Sequence, residues 1–179
     1  MKLPIPIVII GFMACGKTEV ARVVANELNL KLVDLDEQIT WVESRSPAEL
    51  IREEGESSFR NIETSILQRV LERNESSVMA LGGGAWIQPA NRQLLATRNA
   101  TIVWLDTPFE ICWTRIESSS EDRPLGTTKE QASELFKQRY PIYELASIRI
   151  EVTAADSPPE IAARVLDRLG RNPQNTSII

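Results

Sequence analysis

Residues 7–20 read IVIIGFMACGKTEV, and this stretch decides the fold. Four consecutive branched aliphatics show no polar alternation, so they suit a strand covered on both faces. Gly11 and Gly16 bracket a short loop, and Thr18 opens a segment with helical spacing that runs to residue 28. Residues 11–18 satisfy the pattern G-x-x-x-x-G-K-[ST], with the strand before it and the helix after it that give the pattern its meaning. An accidental glycine turn is the alternative, yet four fixed positions recur by chance in roughly one chain of this length per hundred or fewer. In such a loop the backbone N–H groups and the positive helix end favour anions. Lys17 can reach terminal phosphates there, and Thr18 would hold Mg²⁺.

Working outward, apolar runs at 4–10, 30–33, 78–81, 101–105 and 148–152 predict five strands. Between them lie stretches with helical spacing: 18–28, then Phe59, Ile62, Ile66 and Val70, then Ile161, Val165 and Leu169. Strand alternating with helix gives an α/β class, in three α/β/α layers. A five-stranded parallel sheet carries helices on both faces and ligands at the carboxyl ends of its strands. With 179 residues, 42% of them hydrophobic, the chain can bury one sizeable core, so a single domain over 1–170 is expected. The polar tract 117–128, ESSSEDRPLGTT, is either a movable lid or an idle surface loop, and the tail 171–179 is expected to fray.

Composition excludes several chemistries. No histidine occurs, so any general base is a carboxylate, a lysine or a tyrosine. Cys15 and Cys112 stand far apart in no metal-ligand spacing, so neither a disulfide framework nor a zinc site is expected, and a reducing, cytoplasmic setting is the default. A net charge of -5 lacks the basic excess of a nucleic-acid binder, so anionic ligands need local positive clusters. The apolar stretch 3–12 follows only Lys2 and lacks a small-residue cleavage site, so it reads poorly as a signal peptide or membrane span.

Asp34 and Asp36 lie two apart where the second apolar run ends, so both side chains point the same way if the extended conformation persists. One carboxylate near Mg²⁺ and another near an acceptor hydroxyl is what in-line phosphoryl transfer needs. Helix capping by Asp36 is the plainer alternative.

Taken together, the ordered motifs resemble those of the shikimate kinases over nearly the full length. They are 11–18, Asp34-x-Asp36, Phe59-Arg60-x-x-Glu63, Gly82-Gly83-Gly84, Arg123-Pro124-Leu125 and Arg139-x-x-x-Tyr143-Glu144-x-Ala146. The resemblance implies a P-loop kinase fold with a substrate-binding segment at about 35–62 and a lid at about 117–128. It implies a monomeric enzyme of aromatic amino acid biosynthesis that takes ATP, Mg²⁺ and shikimate, and neither nucleic acid nor membrane. Thr18 and Asp34 would then serve Mg²⁺, while Lys17 and Arg123 neutralise the transferring phosphoryl group and Asp36 activates the acceptor hydroxyl. Arg60 and Arg139 would take the shikimate carboxylate, with Gly83 and Gly84 offering backbone contacts. Gly11, Ala14, Cys15, Gly16, Glu19 and Arg115 would complete the ATP site, Arg115 as a cover for adenine.

Each assignment has a plainer counterpart. Arg60 and Glu63, three apart on one helix, could form a weak surface pair, and Arg139 a helix C-terminal cation, while Tyr140, Tyr143, Trp86 and Trp113 read as packing residues rather than ligands. Ala14 stands where the family usually has glycine, so the loop there must tolerate a methyl group. The stretch between Arg115 and Arg123 is one residue longer than usual. Cys15, beside a helix N-terminus and Lys17, is either a reactive thiol that nucleotide protects or an inert packed one. A gluconate or nucleoside monophosphate kinase, and a nucleotide-binding protein without turnover, are the rival readings.

Overall fold

In a computed structural model, which describes residues 6–73, 75, 77–120 and 124–171, the first apolar run forms β1 (Ile7–Ile10), with all four residues buried. The other runs become β2 (Lys31–Asp34), β3 (Ser77–Ala80), β4 (Thr101–Asp106) and β5 (Ile148–Glu151). All pair in parallel in the order β2-β3-β1-β4-β5, with Ile9 opposite Ala80 on one side and Val103 on the other. The three central strands are almost wholly buried, as uniformly apolar parallel strands require. Edge strand β5 alternates instead, burying Ile148 and Ile150 and exposing Arg149 and Glu151. Of the run expected over 4–10, residues 4 and 5 lie outside the described residues; Pro6 has no amide for the ladder, but its carbonyl accepts from the Thr101 N–H at 2.9 Å.

Among the described residues, seven helices lie between the strands, α1 (Lys17–Glu27), α2 (Leu35–Glu43), α3 (Pro47–Glu54), α4 (Glu56–Glu72), α5 (Pro89–Thr97), α6 (Phe109–Glu117) and α7 (Lys129–Tyr143), and α8 (Pro158–Arg171) follows β5. Crossovers between parallel strands are right-handed. Only α1 carries the chain toward the β2 edge, and every later crossover runs the other way. So α1 lies on one face, where α8 packs against it, and α4 and α5 pack together on the other. The loops after the neighbouring strands β1 and β3 therefore leave toward opposite faces, and the crevice between them is where ligands of such sheets bind.

Local chemistry fixes where those loops fall. Asn29 and Asn99 take left-handed conformations, with φ of 52° and 51°, just past α1 and α5. Behind them the Leu30 N–H returns to the Ala25 carbonyl at 2.9 Å and the Ala100 N–H to Leu95 at 3.1 Å, stopping each helix and starting the next strand at once. Ser46 and Glu49 form a capping box around Pro47 that opens α3, a short helix the apolar spacing did not mark. Each large aliphatic fully buried in the core, such as Ile9, Leu67 or Leu105, contributes about 1.5–3 kcal/mol. Against that background Glu63 and Arg139 stand out as buried charges.

Candidate active site

The loop between β1 and α1 turns through three residues of positive φ, Gly11 at 150°, Ala14 at 60° and Gly16 at 94°. Gly16 is the N-cap of α1 and offers no side chain to its first amides, which leaves them for an anion. Lys17 folds back across the loop, its Nζ donating to the Phe12 carbonyl at 2.8 Å and lying 3.8 Å from Cys15 Sγ. Arg115 reaches in from α6, and its Nη1 donates to the Ala14 carbonyl at 3.1 Å. A Cβ on Gly11 would come within 2.7 Å of Cys15 Sγ and 2.9 Å of the Leu105 carbonyl, so that position has no room for a side chain. Cys15 is fully buried, which favours the inert packed thiol. Glu19 is exposed and pairs with Arg22 at 2.8 Å.

The shared direction expected of Asp34 and Asp36 does not hold, because the extended conformation ends at Asp34. The fully buried Leu35 already starts α2, and the cap is Asp34 rather than Asp36. Its Oδ1 accepts from the N–H groups of Asp36 at 3.0 Å and Glu37 at 3.4 Å. Its Oδ2 accepts from the Thr18 hydroxyl at 2.6 Å, which ties the start of α2 to the first turn of α1. Thr18 and Asp34 thus form a pair of hard oxygen donors, the chemistry Mg²⁺ takes alongside phosphate and water. Asp36, in the first turn of α2, lies instead against the glycine turn: a Cβ on Gly82 would sit 2.8 Å from its Oδ1.

That turn gathers the remaining charges. A Cβ on Gly83 would lie 3.2 Å from the Met13 amide nitrogen and 3.5 Å from Arg139 Nη1, and one on Gly84 would strike the Arg60 guanidinium. Bare backbone at 82–84 is what lets Asp36, Arg139 and Arg60 converge beside the phosphate loop. A cleft of about 430 Å³ lies between them, with Ile51 and Phe59 among its apolar lining and Pro124 and Leu125 of the polar tract reaching its wall. Arg123, on which the choice between lid and idle loop turned, lies outside the described residues, as do 121 and 122 and the tail from 172.

Arg60 is no surface ion. Its Nη1 bonds both oxygens of Glu63 at 3.0 Å and its Nη2 bonds Glu56 at 3.0 Å, with Glu63 wholly inaccessible and the arginine side chain 12% exposed. Glu63 occupies the apolar stripe of α4, one turn from Phe59 and one from Ile66 or Leu67. Burial raises its carboxyl to about 7 against the pull of Arg60, and nearby Asp36 pushes the same way. Burial alone would lower the Arg60 guanidinium, but Glu63 and Glu56 more than offset it. Arg139 is buried within α7 rather than capping its end; burial lowers its pKa, and Arg60 adds to that. Glu56, Glu63 and Asp36 offset the charge of the two guanidinium groups, but burial holds Glu63 toward its neutral form, and the planar forks still match the geometry of a carboxylate.

One contact escaped the sequence. Tyr143, read as packing, donates its hydroxyl to the Gly83 carbonyl at 2.5 Å. The available signal was its position one helical turn after Arg139. Trp86 and Trp113 do pack, the first also donating to the Ile142 carbonyl and the second stacking on Phe109.

Known proteins resemble this chain in sequence and in fold. The family model described as shikimate kinase matches residues 13–170. A shikimate kinase of Persephonella marina is 34% identical over 163 residues, covering 91% of this chain and 98% of that relative. The crystallised shikimate kinase of Acinetobacter baumannii in complex with shikimate superposes with a TM-score of 0.87 at 31% identity, covering 96% of both chains. That of Aquifex aeolicus gives 0.80 at 30% identity, covering 96% of this chain and 99% of the other.

Proposed function

The chain belongs to the shikimate kinase family, and on that premise we propose that it transfers the γ-phosphoryl group of ATP to the 3-hydroxyl of shikimate, giving shikimate 3-phosphate and ADP. The observation that carries this reading is the convergence of Asp36, Arg60 and Arg139 on one glycine turn beside the phosphate loop. A carboxylate, two guanidinium groups and bare peptide backbone are what a small polyhydroxy acid asks for, and the cleft is of small-molecule size.

In this reading Arg60 and Arg139 take the acceptor's carboxylate through charge-assisted hydrogen bonds. Gly83 and Gly84 let the ring approach the backbone. Asp36 accepts the proton of the attacking hydroxyl; the hydroxyl oxygen bonds to the γ-phosphorus as the bond to the β–γ bridging oxygen breaks, and ADP leaves. The amides around Gly16 and the Lys17 ammonium hold the phosphates, Gly11, Ala14 and Cys15 shape that loop, and Arg115 covers the base. Arg123, by family resemblance, adds charge over the transferring group. Thr18 and Asp34 would hold Mg²⁺, which when bound neutralises and orients phosphate oxygens. A single domain over 1–170, monomeric and cytoplasmic, acting on small molecules and not on nucleic acid, completes the proposal. No helix among the described residues is long and apolar enough to cross a membrane.

A panel of acceptors in a coupled ADP-release assay tests it. Shikimate is expected to give the highest kcat/KM, with gluconate and nucleoside monophosphates far behind. A higher kcat/KM for gluconate would replace the acceptor, and tight ATP binding with no turnover of any acceptor would make the chain a binding protein.

A further inference from the structure

Arg60 and Arg139 point at the same cleft but are held in different ways. Arg60 is gripped by the Glu63 carboxylate through two bonds of 3.0 Å. The Arg139 guanidinium lies against Gly83, its Nη1 3.5 Å from where a Cβ there would stand, and its nearest partner on α7 is the neutral phenol of Tyr143. Tyr143 is the last residue of α7, four after Arg139, so both side chains leave the same helix face. Its ring is buried and stacks on Trp104 of β4, centroids 6.1 Å apart with 25° between planes. A phenol has one proton to give and lone pairs to accept with. The proton goes to the Gly83 carbonyl, so the oxygen turns only lone pairs toward the guanidinium on the other side of Gly83. Burial pushes the phenol's pKa upward, so the hydroxyl keeps its proton and goes on donating to the peptide carbonyl beside Arg139.

We propose that Tyr143 is a positioning residue for the acceptor site, locking the Arg139 guanidinium and the Gly83 peptide into one rigid unit. A neutral partner orients the arginine without cancelling its charge, which stays available to the acceptor's anion; a carboxylate in its place would compete with that anion. The assignment rests on the acceptor reading of Arg139 given above. The rest of the glycine turn has its own supports: Trp86 Nε1 donates to the Ile142 carbonyl, Asn91 Nδ2 to Ala85, and Arg92 Nη1 to Trp86 and Ile87, all between 2.7 and 2.9 Å. Loss of one hydroxyl therefore leaves the turn pinned.

Tyr143→Phe keeps the ring and its stacking and removes only the hydroxyl. The expected result is a rise of about tenfold in KM for shikimate, with KM for ATP within about twofold, the size of one lost hydrogen bond. Trp104→Phe disturbs the ring's packing and spares the hydroxyl, so it should leave the ratio of the two KM values unchanged. A readout independent of the acceptor is the NMR signal of the Arg139 Nε–H without ligand, sharp in the wild type and broadened in Tyr143→Phe by freer rotation of the guanidinium. An unmoved shikimate KM with a sharp Arg139 signal in the variant overturns the proposal. So does an equal rise in both KM values, or a shift of their ratio by Trp104→Phe as large as that by Tyr143→Phe. A wild type that ignores shikimate while the variant's Arg139 signal broadens would sink the acceptor reading and leave the positioning contact standing.

Discussion

In the proposed reading the phosphate loop is eight consecutive residues whose working parts are backbone amides, Lys17 and Thr18, whereas the acceptor cleft takes Asp36 from α2, Arg60 from α4, Gly83 from the turn after β3 and Arg139 from α7. The loop's conformation follows from local φ values and one strand-helix junction. The cleft exists only because β3 lies beside β1, which brings Gly83 against Met13 of the loop. Contiguous backbone machinery tolerates change elsewhere, while a cleft assembled from distant side chains has many independent ways to fail. Substitutions in the two regions should therefore separate donor from acceptor behaviour.

The largest separation is expected at Asp36. Asp36→Asn keeps the shape and loses the proposed base, so kcat should fall by about 10²- to 10⁴-fold with both binding affinities within a few-fold. Steady-state kinetics with calorimetric binding of ATP and shikimate check this, and an unchanged kcat removes Asp36 from the chemistry. Next come Arg60→Ala and Gly84→Ala, the first deleting the guanidinium and the second driving a methyl group into it. Each should weaken shikimate binding by about 1.5–3 kcal/mol and leave ATP affinity nearly intact. Equal losses for both ligands would mean that the two regions are not separable after all.

The same contrast explains what could be read from the chain before folding. The five strands and the loop at 11–18 were legible because uniform apolar runs and a fixed-spacing pattern are local properties. The direction of Asp34 and Asp36 was not, because it turned on whether a strand or a helix continued past residue 34, and the burial of Leu35 decided for the helix. Arg60 with Glu63 was ambiguous between surface and site until α4 buried its Glu63 face. Tyr143 looked like core because its ring is core; only the hydroxyl's contact with a residue 60 positions earlier gives it another role.

Glu63 sharpens the comparison through pH. Its folded pKa, about 7, lies above the ordinary 4.5, chiefly through burial. A group shifted in that direction contributes stability that is complete below the unfolded value and is lost as pH rises through the folded one. Stability should thus fall between about pH 4.5 and 7, by roughly 1–3 kcal/mol, and chemical denaturation of Glu63→Gln should show a flatter profile. Shikimate affinity should rise over the same window as pH falls, since protonating Glu63 frees the charge of Arg60 while an ordinary carboxylate ligand stays ionised. ATP affinity should not follow; if it does, Glu63 speaks to both regions.

The smallest effect is expected at Ala14, although it is the loop's most conspicuous irregularity. A non-glycine residue at φ 60° is strained by about 1 kcal/mol, so Ala14→Gly relieves strain in the fold, but a more flexible unfolded chain offsets most of the gain. Net stability should shift by less than about 1 kcal/mol in a denaturation curve. For ATP the argument is different: strain common to the free and the bound loop cancels from the affinity. The Ala14 carbonyl is already held by Arg115 without nucleotide, so a preformed loop predicts an ATP affinity within about threefold of the wild type. A gain of tenfold or more would show that the methyl group resists a rearrangement on binding. The donor region would then be no more preformed than the acceptor cleft.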